Sequence, residues 1–164
     1  LDDGTSWSCS VLHDTAGVTG VYPDVAVFGD GGTFTSVFVS YYNQTEGDLE
    51  IARSGDNAET WTNIDVDTAG DVGGYTSIAI SSDGNSIYLS YHDVGGAALK
   101  FARSDDWGDT WPVIRTVDDL GSRGEYSSMA IAETGTATVV GISYYDADEG
   151  NLMFARSDDG GDTW

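Results

Sequence analysis

The chain has 164 residues, 40% hydrophobic and 12% aromatic, enough for one packed core and too apolar for a disordered acidic tail. Its 28 acidic residues face only six basic ones, and the formal charge of −22 excludes nucleic-acid binding, which depends on cationic contacts to phosphate. No run nears the roughly 18 apolar residues of a membrane span.

The opening has neither an initiator Met nor a signal-like stretch, as expected of a piece processed or excised from something longer. The acidity is lopsided: 22 Asp and 6 Glu make up the 28, and Lys100 is the only lysine. Asp in turns, where a short carboxylate caps backbone N–H groups, accounts for part of the bias. The rest points to a high-salt or calcium-rich exterior, hence a secreted or cell-surface protein. Cys9 stands alone, which excludes an intrachain disulfide and predicts a small buried strand residue.

In chain order, an opening strand covers Ser8 to His13. Short β-rich runs separated by Gly, Asp, Asn and Ser clusters then repeat. A first strand reads Tyr22 to Phe28, Tyr75 to Ile80 and Tyr126 to Ile131, and a second Ser36 to Tyr42, Ser86 to His92 and Val139 to Tyr145. A third, Leu49 to Arg53, Leu99 to Arg103 and Leu152 to Arg156, leads into an Asp-rich turn. The fourth follows a tryptophan, at Thr62 to Asp67 and Pro112 to Asp118. No segment has a helical period.

Tryptophans at 7, 61, 111 and 164 bound the units 8–61, 62–111 and 112–164, with 1–7 a partial turn. Each arginine at 53, 103 and 156 precedes its tryptophan by eight positions, while the stretch from each tryptophan to the next second strand varies. Length drift confined to connections is the mark of stacked repeats. Four short antiparallel strands per unit of about 50 residues predict a β-propeller blade. Runs such as Val37-Phe38-Val39 and Ile87-Tyr88-Leu89 fit strands buried on both faces. The fold expected is all-β, a propeller of four-stranded antiparallel blades with three blades in this chain.

The turns read SGDNAETW, SDDWGDTW and SDDGGDTW. This Ser-x-Asp-x-Gly-x-Thr-Trp pattern, preceded by Phe-Ala-Arg in two of three copies, resembles the Asp-box, or bacterial neuraminidase, repeat of sialidase-like propellers. The resemblance covers three repeat lengths and implies a structural hairpin between third and fourth strands, built from Ser54, Asp56, Thr60 and Trp61, from Ser104, Asp106, Gly108, Thr110 and Trp111, and from Ser157, Asp159, Gly161, Thr163 and Trp164. Ala58 stands in the Gly place of the first. Arg53, Arg103 and Arg156 occupy equivalent corners, so they are expected to pair with turn or neighbouring-blade carboxylates and not to converge on one ligand. The Arg-Ile-Pro motif of sialidases is absent.

Residues that break the repeat are the better candidates for chemistry. Arg123 and Glu125 precede an inner strand; Asp24 replaces Ser77 and Ser128; His92 replaces Tyr42 and Tyr145 beside Asp93. Asp146, Asp148 and Asn151 form a loop of calcium-ligand types without the EF-hand pattern, and Asp65, Asp67 and Asp71 a second acidic cluster. Calcium is the only cofactor these suggest. Asn43-Gln44-Thr45 is a glycosylation sequon.

Three blades do not close a ring of four to eight. The opening strand is expected to complete the last blade of a second copy or of adjoining chain, giving 2 × 3 = 6 blades in a homo-oligomer, or a fibre if the contact does not close. The function expected is that of an extracellular structural, assembly or glycan-binding module without catalysis of its own. The competing expectation is part of a sialidase-like glycoside hydrolase whose site needs further blades.

Overall fold

The structure, a computed structural model, describes residues 9–29, 31–32 and 35–164. Eleven strands and no helix are present among them. The first sheet contains β1 (Val21–Gly29), β2 (Thr35–Asn43), β3 (Asp48–Ser54) and β4 (Thr62–Asp67), paired in that order. The second contains β5 (Val72–Ile80), β6 (Ile87–Asp93), β7 (Ala98–Ser104) and β8 (Val113–Asp118). The third holds β9 (Arg123–Glu133), β10 (Thr138–Asp146) and β11 (Asn151–Ser157). All pairings are antiparallel, and equivalent residues match: Ser40↔Ile51, Ser90↔Phe101 and Ser143↔Phe154. Each post-tryptophan strand joins the sheet before it, so the sheets span 21–67, 72–118 and 123–157, displaced from the tryptophan-bounded units.

The sheets pack face to face as blades, which buries both faces of β6 in the middle blade, while β10 in the last sheet is buried mainly on one face. One core, including Phe38, Leu49, Ile51, Ile87, Leu89 and Tyr91, fills the space between the first two sheets. A second, including Leu99, Phe101, Met129, Val140, Ile142 and Tyr144, fills the space between the second and third. Close approach there requires glycine. A Cβ on Gly73 (φ +113°) would lie 2.9 Å from the Leu49 Cα, and one on Gly124 (φ +100°) 2.8 Å from the Leu99 Cα.

The inner strands β1, β5 and β9 are strutted by side chains. Asp24 accepts from the Ser77 hydroxyl (3.1 Å) and the Ile78 N–H (3.0 Å), and the Ser77 hydroxyl accepts from the Met129 N–H (3.2 Å). Two expectations fail. Residues 9–13 form no strand, since no backbone ladder joins them to another strand among the described residues, and Cys9 is exposed, not buried. The partial turn at 1–7 and Ser8 lie outside the described residues.

Candidate functional site

The acidic turns form one end of the blades, and their chemistry is local. In the second, the Ser104 hydroxyl donates to Asp106 (2.7 Å) and accepts from the Gly108 N–H (2.9 Å); Asp106 then accepts the Thr110 N–H (2.9 Å) and hydroxyl (2.6 Å). Asp56 and Asp159 repeat these bonds with Ser54 and Thr60 and with Ser157 and Thr163. The threonine donors, with the serine, hold all three carboxyls down at about 2. Gly108 and Gly161 lie against Ile51 and Phe101 of the preceding blade, while Ala58 in the same place is exposed.

Arg53 and Arg103 each clasp the next blade's turn. Arg53 donates to the Trp107 carbonyl (2.7 Å) and pairs with Asp109; Arg103 donates to the Gly160 carbonyl (2.8 Å) and pairs with Asp162 at 3.2 Å. Among the described residues Arg156 pairs only with Asp158 of its own turn. The arginines thus stand at separate outer corners, as their spacing predicts.

Side chains of another kind gather at the opposite end, where β4 passes to β5 and β8 to β9. Each inner strand begins Gly-x-Tyr, and its tyrosine has a left-handed backbone: φ is +52° at Tyr22, +51° at Tyr75 and +54° at Tyr126. Bulges in the β1–β2, β5–β6 and β9–β10 ladders coincide with them. A bulge turns a side chain out of its ladder, and here it aims the three rings into one row. Tyr22 and Tyr75 stack at 4.2 Å, Tyr75 and Tyr126 lie tilted at 4.5 Å, and Tyr145 meets Tyr126 edge-on at 6.2 Å. Tyr126 remains 66% exposed, so its ring is open to a ligand. The Tyr22 hydroxyl, burial and the Tyr126 hydroxyl all push the Tyr75 phenol up.

One repeat-breaking residue, His92, packs beside this row. His92 is 6% exposed, its ring 6.1 Å from Tyr75, and neither buried ring nitrogen has a hydrogen-bond partner among the described residues. Burial lowers its pKa against the opposing pull of Glu125, then Asp93 and Asp71. Burial, then the hydrogen bond it donates to the Asp71 carboxylate, push the equivalent Tyr42 up to about 12.

The fold is similar to that in the crystal structure of a GH62 hydrolase in complex with xylotriose, a β-propeller glycoside hydrolase, with a TM-score of 0.55 and 14% identity. The chain is a β-propeller segment. The alignment covers 87% of it and 47% of the hydrolase, so it spans about half of that protein. No family model and no curated protein matches it.

The propeller places the remaining candidates in structural roles. Asp24 is the inner-strand strut. Asp93 accepts the Gly96 N–H (2.6 Å) in a tight turn. Arg123, 9% exposed, pairs with Asp146 and lies 3.5 Å from Asp118 of the neighbouring blade, so it faces no ligand alone. Asp146 also caps Asp148 and Glu149, Asp148 accepts the Ser122 N–H, and Asn151 bonds Glu149. Asp67 is buried under Lys100 and Tyr91, while Asp71 takes a different partner, the Tyr42 hydroxyl. Among the described residues no three His, Cys, Asp or Glu are grouped to hold a metal. Asn43 is 1% exposed and donates to Glu50 at 2.7 Å, so the sequon does not present its acceptor nitrogen at the surface. The tyrosine row escaped the sequence reading, although the recurring Gly-x-Tyr is its signal.

Proposed function

We propose that this chain is a blade segment of a secreted Asp-box propeller that binds neutral glycans at the tyrosine row. The carrying observation is the row itself. Three non-glycine residues held at positive φ cost on the order of 1 kcal/mol or more each, and a bulged ladder maintains that strain at the same position in all three blades. Exposed aromatic faces take the apolar face of a sugar ring, while the half-buried Glu125 carboxylate offers a hydrogen-bond acceptor beside it. The turn bonds of Asp56, Asp106 and Asp159 fit the Asp-box resemblance.

Charge selects the ligand class. Asp71, Asp93 and Glu125 surround His92, and Arg123 is neutralised by its carboxylate partners, so the end repels an anionic sugar. A sialidase-like site would need cations from elsewhere. The GH62 hydrolase, whose crystal structure is a complex with xylotriose, favours a second reading in which further blades complete a glycoside hydrolase for a neutral substrate.

Titration calorimetry with xylotriose, maltotriose and sialyllactose tests the proposal. Saturable binding of a neutral trisaccharide is expected, weakened roughly 3- to 10-fold by Tyr126→Ala. Sialyllactose is expected not to bind. Absence of binding by both neutral sugars, or equal binding by the Tyr126→Ala protein, would overturn it.

A further inference from the structure

The three blades are equivalent, so the two interfaces inside the chain show what a third requires. Leu49 and Leu99 are fully buried beneath Gly73 and Gly124 of the next blade, and Ile51 and Phe101 beneath its turn glycine. Arg53 and Arg103 then grip a turn carbonyl and an acidic residue two positions before the tryptophan. Blade three repeats the gripping face with Leu152, Phe154 and Arg156, but these are 84%, 67% and 60% exposed.

The matching features stand uncovered on blade one. Gly20 has φ +75° and open space above it, in the place of Gly73 and Gly124. Val25 is 57% exposed where Ile78 and Met129 are buried, and Val27 is 62% exposed where Ile80 and Ile131 are half-buried. Glu59 stands two before Trp61, as Asp109 and Asp162 stand before theirs. A groove of about 250 Å³, lined by Leu12, Gly20, Pro23, Val39 and Tyr41, opens beside Gly20 where a leucine from a gripping face would enter.

The segment 9–13 supplies a further match. At the end of a fourth strand, Asp67 accepts from Tyr91 of the next blade (2.7 Å) and Asp118 from Tyr144 (2.6 Å). His13 meets the equivalent Tyr41 at 2.9 Å. It also pairs with Glu50 at 3.0 Å, where Lys100 pairs with Asp67, so the charges are exchanged. His13 therefore occupies the place of a preceding blade's fourth-strand end, while β11 has no fourth strand beside it among the described residues. Four residues before that end, Asn63 pairs with Ala52 and Ile114 with Ala102. The same count puts Cys9 opposite Ala155.

We propose that a second copy of this chain docks its leading blade on the Leu152–Phe154–Arg156 face, its Cys9–His13 segment running along β11 and its Glu59 meeting Arg156. The proposal is independent of the glycan reading. Light scattering on the 17.3 kDa chain is expected to give particles of two or more copies, at least 2 × 17.3 = 34.6 kDa. Arg156→Glu should weaken association about tenfold or more, and adding Glu59→Arg should restore it. Ala155→Cys should form an interchain disulfide with Cys9 under mild oxidation, and a cysteine at the exposed Ala132 should not. Circular dichroism confirms that each variant is folded. A folded monomer at about 100 μM, a charge exchange without rescue, or cross-linking equal at 155 and 132 overturns the proposal; a monomer would assign the face to a further blade of a longer polypeptide.

Discussion

At the residue scale the acidic turns govern the response to acid. Asp56, Asp106 and Asp159 titrate at about 2 when folded and near 3.9 when unfolded, so their stabilisation is complete above about 4 and is lost as pH falls towards 2. Asp106→Asn should flatten stability against pH in that window, measured by thermal unfolding at half-unit steps. His92 acts higher on the scale. Burial lowers its pKa, so stability is full above the ordinary value of about 6.5 and declines as protons bind the unfolded chain below it. His92→Tyr, the residue found at its two equivalents, should remove the decline between pH 6.5 and 5. The turns were legible in sequence because serine, aspartate and threonine close them within seven residues. The tyrosine row was not, since backbone sign and bulge position leave no trace in a strand's apolar pattern. Asn43 misled for the same reason: a sequon says nothing of burial beneath Glu50.

At the element scale the interfaces combine close glycine contacts with one buried charge pair each. Gly124→Ala would drive a methyl into the Leu99 backbone and should cost about 1–3 kcal/mol in urea unfolding, whereas Gly20→Ala, with open space above, should cost less. Burial alone would push the Asp67 carboxyl up, but Lys100 and Tyr91 reverse this and leave it lowered. Lys100→Met should therefore destabilise by roughly 3–5 kcal/mol, because a buried carboxylate loses its cation. The third sheet bears a methionine, Met153, at the place of Lys100, and Arg123 supplies the cation near Asp118 instead. Strands were readable from runs buried on both faces. The exchange of cations between positions was not, because the partners Asp67 and Lys100 are 33 residues apart and on different blades.

At the scale of the whole molecule the charge of −22 opposes compaction everywhere at once. Raising sodium chloride from about 20 to 500 mM should raise the melting temperature by several degrees, and the gain should saturate once screening falls below charge spacing. Equal melting at both salts would mean that local pairs such as Arg103 with Asp162 absorb the repulsion.

Arg53 and Arg103 both reach forward, into the turn of the blade that follows. Every unit of about 50 residues therefore carries both halves of the joint, a grip and a handle. Tandem duplication of such a unit in a gene adds one complete joint and disturbs no other, and deletion removes one as cleanly. Blade number can thus change in a single genetic step, without compensating substitutions, and Gly-x-Tyr is copied along with each unit.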